Sequence, residues 1–266
     1  MSLERWHEKG ERVREHLRLR TFPVAIRLCK DEGEFPEDVG RPSRDFKHRI
    51  AVCQAIGMAR MYGWTLGLTW EEDMWCIRPA ILWGIIEPPE YVLEGALMHG
   101  FYNATVEAAK KSEEAWIKIA AGSFCGAVFS PLERTPVEPH VIAIYGTPAQ
   151  MCRLIGAALW KEGGALEAAF QAGAEICHKI ARAYRIKEPQ VVVPGGGDRV
   201  FTGTEDDEMA MVIPMDKVDE ILGGLEAIKI VSYPIPKYIR WEPRVPRNYK
   251  ISYHDYIEWL KLKKKA

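Results

Sequence analysis

The sequence carries almost no net charge: 36 Lys+Arg against 37 Asp+Glu leave a formal balance of -1. A near-neutral chain has no global field for nucleic acid or an anionic membrane. Long apolar runs are missing too. The longest uncharged apolar stretch near the middle, Ala80–Ile86, falls far short of the roughly 20 residues of a membrane helix. The start, Met1–Lys9, is heavily charged and lacks the apolar region of a signal peptide. These absences lead us to expect a soluble, cytoplasmic protein. The six cysteines, at 29, 53, 76, 125, 152 and 177, include no C-x-x-C pair. In that compartment they read as reduced thiols, and Asn103-Ala104-Thr105 reads as a chance sequon. No Gly-x-Ser-x-Gly occurs, so a Ser-His-Asp triad has no local signature. What is present is 47% hydrophobic and 27% charged residues over 266 positions. That excludes a disordered chain, a collagen-like fibre and a disulfide-stapled mini-protein.

Hydrophobic spacing predicts an amphipathic helix over 3–19 and a strand at Pro23–Leu28. A helix of small residues follows over Ile50–Tyr62. Strands are expected at Trp64–Trp70 and Ala80–Ile86, and helices at Tyr91–Met98 and 101–119. The second half opens with a strand at Phe124–Phe129 and a clear one at Val141–Tyr145. Thr147 and Pro148 then start a helix to 161, with Thr147 as N-cap. A helix over 165–184, strands at Val191–Val193 and Met209–Ile213, and a helix over Pro214–Leu225 follow. Residues 231–247 are Pro-rich and irregular, before a final helix with a basic end.

Strand-then-helix order recurs: Pro23–Leu28 before Cys53–Tyr62, and Val141–Tyr145 before Pro148–Trp160. Trp83–Leu97 and Met211–Leu225 share a strand-proline-helix pattern. These repeats point to an internal duplication, with coincidence of common patterns as the alternative. The expected architecture is α+β, with two related α/β halves around a central cleft. The halves are residues 1–120 and 121–230, and 231–266 form a Pro-rich extension and helix.

Three features carry candidate chemistry. Gly195-Gly196-Gly197-Asp198-Arg199 follows a valine strand. Its glycines let the backbone approach a ligand closely, and Arg199 could grip a phosphate or carboxylate. It is neither a Walker loop nor a Rossmann fingerprint. The bland reading is a tight turn with Asp198 bonded to its own backbone. The second feature is the helix start from Thr147 to Gln150, with free N–H groups suited to an anion; the bland reading is a simple cap. The third is the scattered cysteines. Cys53 is a candidate reactive thiol, and Cys53 with Cys76 would be the first ligands of an iron–sulfur cluster, although single cysteines are more often buried hydrophobes. Cys177 and His178 are adjacent, and helix neighbours point some 100° apart, so both rarely ligate one ion. Among the acidic residues, Glu208 stands out beside the strand Met209–Ile213 as a candidate catalytic group. Trp64, Trp70, Trp75 and Trp83 read as packing, or alternatively as the walls of a pocket for a planar ligand.

Pro23-Val24-Ala25-Ile26, Cys53-Gln54-Ala55, Tyr145–Gln150, Gly197-Asp198-Arg199, Asp207-Glu208-Met209 and Ile213-Pro214 occur in an order that, with Tyr233-Pro234, resembles the uncharacterised prokaryotic domain-of-unknown-function family 169 over roughly residues 15–240. The resemblance implies a protein of anaerobic bacteria or archaea with no assigned activity. Cysteine near the glycine turn in some members implies a redox or metal role there. Here the turn is Gly195-Gly196-Gly197, which favours a plain anion or cofactor pocket. The expected occupant is a small anionic molecule or organic cofactor held by Thr147, Gln150, Gly195–Gly197, Asp198 and Arg199, with Cys53 or Glu208 as the chemical group. The alternative is an accessory subunit of an anaerobic redox complex, docking through 231–247 and the tryptophans, or an iron–sulfur carrier. A protein partner or a homo-oligomer fits either reading.

Overall fold

Alternation along the strands decides the layers. Val24, Ile26, Val141, Ala143 and Tyr145 face one side of a sheet, and Ala25, Ile142 and Ile144 face the other, as a period of two requires. Both sides are apolar, so both must be covered. The computed structural model describes residues 3–173, 175–228 and 253–264. Its strands are β1 (Val24–Cys29), β2 (Leu66–Thr69), β3 (Gly126–Pro131), β4 (Val141–Gly146), β5 (Gln190–Val192) and β6 (Met209–Pro214). They form one sheet in the order β2-β3-β1-β4-β6-β5, with every pairing antiparallel.

The helices are α1 (Glu4–Leu17), α2 (Pro42–Asp45), α3 (Val52–Tyr62), α4 (Ile77–Leu82), α5 (Glu90–Leu93), α6 (Val106–Glu114), α7 (Pro148–Ala158), α8 (Glu175–Ile186), α9 (Gly196–Phe201), α10 (Val218–Ala227) and α11 (Tyr253–Lys263). Apolar residues of α3, α4 and α8 cover the Tyr145 face. Those of α1, α7 and α10 cover the Ile144 face. The chain divides into two compact units, residues 1–227 and 228–266. The sheet and its covering helices belong to the first, and α11 to the second.

The mixed α/β class is as expected, but the internal duplication is not shown. Strand β3, from beyond residue 120, lies between β1 and β2. The two segments therefore share one sheet. The Trp83–Leu97 and Met211–Leu225 patterns also diverge. The second is β6 leading into α10, whereas the first follows α4. Ala80–Ile86 is thus not a strand: its first residues end α4, and Gly84 (φ +69°) turns the chain. A fully apolar run cannot by itself distinguish a buried strand from a buried helix.

Several helices are shorter than expected: the one over Tyr91–Met98 is α5, which ends at Leu93, and the one over Pro214–Leu225 is α10, which starts only at Val218. The one over 101–119 is α6, which starts only where Thr105 accepts a hydrogen bond from the Ala108 N–H (3.1 Å). The one over 165–184 begins at Glu175, after Gly173 (φ +86°) has reversed the chain. The glycine turn is a short helix, α9. The Pro-rich 231–247 lies outside the described residues.

Candidate functional site

On the Tyr145 face, the first turns of α3 and α8 meet α9. Together with residues before and within α4, they enclose a cavity of about 520 Å³. Its volume suits a small organic molecule. Three buried groups form the floor: Cys53, Cys177 and Asp198. Gly195, Gly196 and Gly197 line it with backbone, and a Cβ on Gly197 would lie 3.7 Å from the Cys53 sulfur. Exposed rings of Trp75, Tyr91, Tyr102 and Phe201 form the rim. Cys76 and Arg78 complete the wall.

Asp198 is a strongly perturbed carboxyl group on the cavity floor. It is 2% exposed. Burial pushes its pKa up to about 6, against hydrogen bonds from the Gly195 and Ile176 N–H groups and the Tyr145 hydroxyl. The last bond is 3.3 Å long. Tyr145 is itself held well above its ordinary value, by burial first and by the Asp198 charge second. Behind that ring sits the buried Arg60, its guanidinium 4.3 Å from the ring centroid. Arg60 Nη2 donates to both Glu208 oxygens at 2.8 Å, while its Nε and Nη1 have no hydrogen-bond partner in the protein.

The neighbouring Cys177 thiol first, and burial second, raise the Cys53 pKa well above its ordinary value. Burial, followed by the neighbouring Cys53, raises Cys76 to about 11. The indole N–H of Trp83 holds the Cys177 carbonyl at 2.9 Å.

Arg78 is under-used. Nη1 donates to the Gly173 carbonyl, Nη2 donates to the Met98 sulfur at 3.1 Å, and the buried Nε has no partner in the protein. Tyr102 and Trp116 rings lie 5.0 and 5.9 Å from its carbon. A guanidinium has five N–H donors, and a thioether is a weak acceptor.

Of the residues singled out in the sequence, the cavity gathers Cys53, Cys76, Gly195, Gly196, Gly197 and Asp198. Four others lie elsewhere. Arg199 donates to Asp206 Oδ1 (3.0 Å) and the Glu205 carbonyl (3.3 Å) at the surface. Glu208 is committed to Arg60 and to the Glu205 N–H (3.0 Å). Thr147 and Gln150 form a reciprocal cap, and Gln150 Nε2 also donates to the Leu17 carbonyl (2.8 Å). Of the tryptophans, Trp75 is on the rim and Trp83 in the core. The sequence reading missed Arg78, Tyr145 and Arg60 as site residues, and it weighed Cys177 only as a metal or cluster ligand. Only Cys76-Ile77-Arg78-Pro79, where an arginine follows a flagged cysteine, offered a local signal for one of them. Among the described residues, no three His, Cys, Asp or Glu side chains are arranged to hold a metal ion. Nor is any helix among them long and apolar enough to cross a membrane.

Fold and site together define a mixed α/β protein whose antiparallel sheet is covered on both faces and carries a cysteine- and aspartate-floored cavity on one of them. The chain belongs to domain-of-unknown-function family 169, described as "Uncharacterised ArCR", which matches residues 12–224. It is 28% identical over 234 residues to an uncharacterised protein of Methanocaldococcus jannaschii, covering 87% of this chain and 98% of that relative. No solved structure matches the chain.

Proposed function

We propose that this protein binds a small, flat organic anion in the Cys53–Asp198 cavity, with the acidic group at Arg78 and the planar body against the rim rings. The observation that carries this reading is Arg78. A cation on a cavity wall, flanked by aromatic faces and bonded to a thioether and one carbonyl, has N–H groups left for a carboxylate, phosphate or sulfonate. The apolar, ring-bordered wall suits the rest of such a molecule. Arg199, tied to Asp206, has no part in this reading.

The test uses 1-anilinonaphthalene-8-sulfonate, a flat aromatic anion. Saturable binding at one site is expected, with quenching of Trp75 fluorescence. Arg78→Met should weaken it at least about tenfold, the worth of one charge-assisted hydrogen bond. Trp75→Ala, at an exposed residue that cannot disturb the core, should also weaken it. Binding left unchanged by both substitutions would defeat the reading.

A second reading adds chemistry. A cavity carboxylate whose pKa lies near 6 can accept a proton at neutral pH, and perturbed carboxylates gather at reactive sites. Asp198 is the candidate proton acceptor, and Asp198→Asn should abolish any turnover while leaving dye binding in place.

A further inference from the structure

We propose that Cys53 and Cys177 are a redox couple that closes to a disulfide by reducing a small organic disulfide drawn into the cavity. The class of co-substrate, a disulfide carrying an acidic group, rests on the Arg78 reading above. Closure of the thiol pair does not.

Four observations converge. The two thiols come from different helices yet are buried neighbours. Both line the same cavity, so one ligand can reach both. Cys53 is the second residue of α3 and Cys177 the third of α8, helices of 11 and 12 residues. At Cys53 a first helical turn acts against the effect of burial. Finally, Asp198 lies on the same floor; its charge raises the Cys53 pKa, and its carboxylate is a base within the cavity for the thiol proton. The Trp83 bond to the Cys177 carbonyl fixes one member of the pair in place.

The exchange balances without any other reactant. One thiol gives up its proton, and its sulfur attacks a sulfur of the ligand. The ligand S–S bond breaks, and one thiolate leaves and is protonated. The second thiol then gives up its proton and attacks the protein-bound sulfur of the mixed disulfide. That S–S bond breaks, and the second thiolate leaves and is protonated. The protein pair loses two electrons and two protons, and the ligand gains them as two thiols.

The probe is 5,5′-dithiobis(2-nitrobenzoate), a flat aromatic disulfide with carboxylates, added below stoichiometric amounts to the folded chain. The exposed Cys152 is replaced by serine to remove a competing thiol. Two coloured thiolates per probe molecule are expected, with no probe fragment retained and a Cys53–Cys177 link in the digested protein. Cys53→Ser and Cys177→Ser should each release one thiolate and keep the other half as a mixed disulfide. Cys76→Ser should behave like the parent.

A retained fragment in the parent, or a link from Cys53 to Cys76, would overturn the proposal. If a serine variant fails to fold, the peptide link in the parent still decides. Arg78→Met separates the two readings. Unchanged closure with no rate loss would remove Arg78 from ligand binding and leave the couple standing. Dye binding that depends on Arg78, without any closure, would do the reverse.

Discussion

Two helix starts on opposite faces of the sheet use the same glutamine device and end with different roles. At α3, Gln54 Oε1 accepts from the Ala51 N–H (2.8 Å), and at α7, Gln150 Oε1 accepts from the Thr147 N–H (2.8 Å). On α7 the remaining groups are also used. Thr147 Oγ1 accepts from the Gln150 N–H, and Gln150 Nε2 donates to the Leu17 and Arg18 carbonyls. That start fastens α7 to the end of α1. On α3 the N-cap is alanine, which has no side-chain acceptor, and the next helical turn presents a thiol to a cavity. A helix start offers binding chemistry only where its own structure leaves groups unspent. The contrast extends to the faces. The cavity face buries Arg60, Asp198 and His178, whereas the α7 junction is closed on itself.

The contrast is broken most severely at Arg60. Glu208→Gln leaves that buried guanidinium without its counter-charge, and removing one partner of a buried ion pair costs about 3–5 kcal/mol. Denaturant unfolding should show a loss of that size. A loss below about 1 kcal/mol would mean that the pair is solvated and that Glu208 is free for another role.

Asp198 should show the opposite sign. Its pKa rises from 3.8 to about 6 on folding, so the stability it lends is complete below 3.8 and lost as pH rises through 6. The shift of roughly two units corresponds to about 3 kcal/mol against the folded state at pH 8. Asp198→Asn should therefore gain about that much on the parent between pH 4 and pH 8, measured by urea unfolding. A site that gains stability when its ionisable group is removed is held for a reason other than stability. A difference that does not move with pH would show that Asp198 is not perturbed.

His178 gives a further pH test on the same face. Burial lowers it from 6.5 to about 4, and its Nε2 accepts from the Ile117 N–H at 3.1 Å. The sign is that of a depressed folded pKa: stability is present above 6.5 and lost as pH falls through 4. About 3 kcal/mol should disappear over that window. His178→Gln should flatten this part of the pH–stability curve, and an unchanged slope would refute the assignment.

Much of the fold was legible because its strands are short apolar runs bounded by turn residues. Val24–Cys29 follows Pro23, and Val141–Gly146 ends before Thr147-Pro148. The Thr147–Pro148 start was legible because capping is local. Ala80–Ile86 was not, because an all-apolar run has no period. The site was half legible. Gly195–Asp198 and Cys53 carry local signals, but Arg78 becomes a cavity residue only when the chain from Gly173 folds over it, and Cys177 gains meaning only when α8 places it on Cys53. Pairings across some 95–125 residues leave no trace in either neighbourhood.

The smallest effects separate the two junctions and the two arginines. Thr147→Ala should cost about 1 kcal/mol, the usual worth of an N-cap, with no change in dye affinity. Arg199→Ala should cost less still, because exposed ion pairs are worth about 0–1 kcal/mol and Asp206 is fully exposed. Its dye affinity should equal that of the parent, while Arg78→Met loses tenfold or more. The two arginines are alike in charge and differ in what surrounds them: Arg199 has a carboxylate and water, and Arg78 has two rings, a sulfur and a cavity. If Arg199→Ala weakened the dye as much as Arg78→Met, the anion would lie at the α9 surface, and the division between spent and unspent groups would fail as a guide to this site.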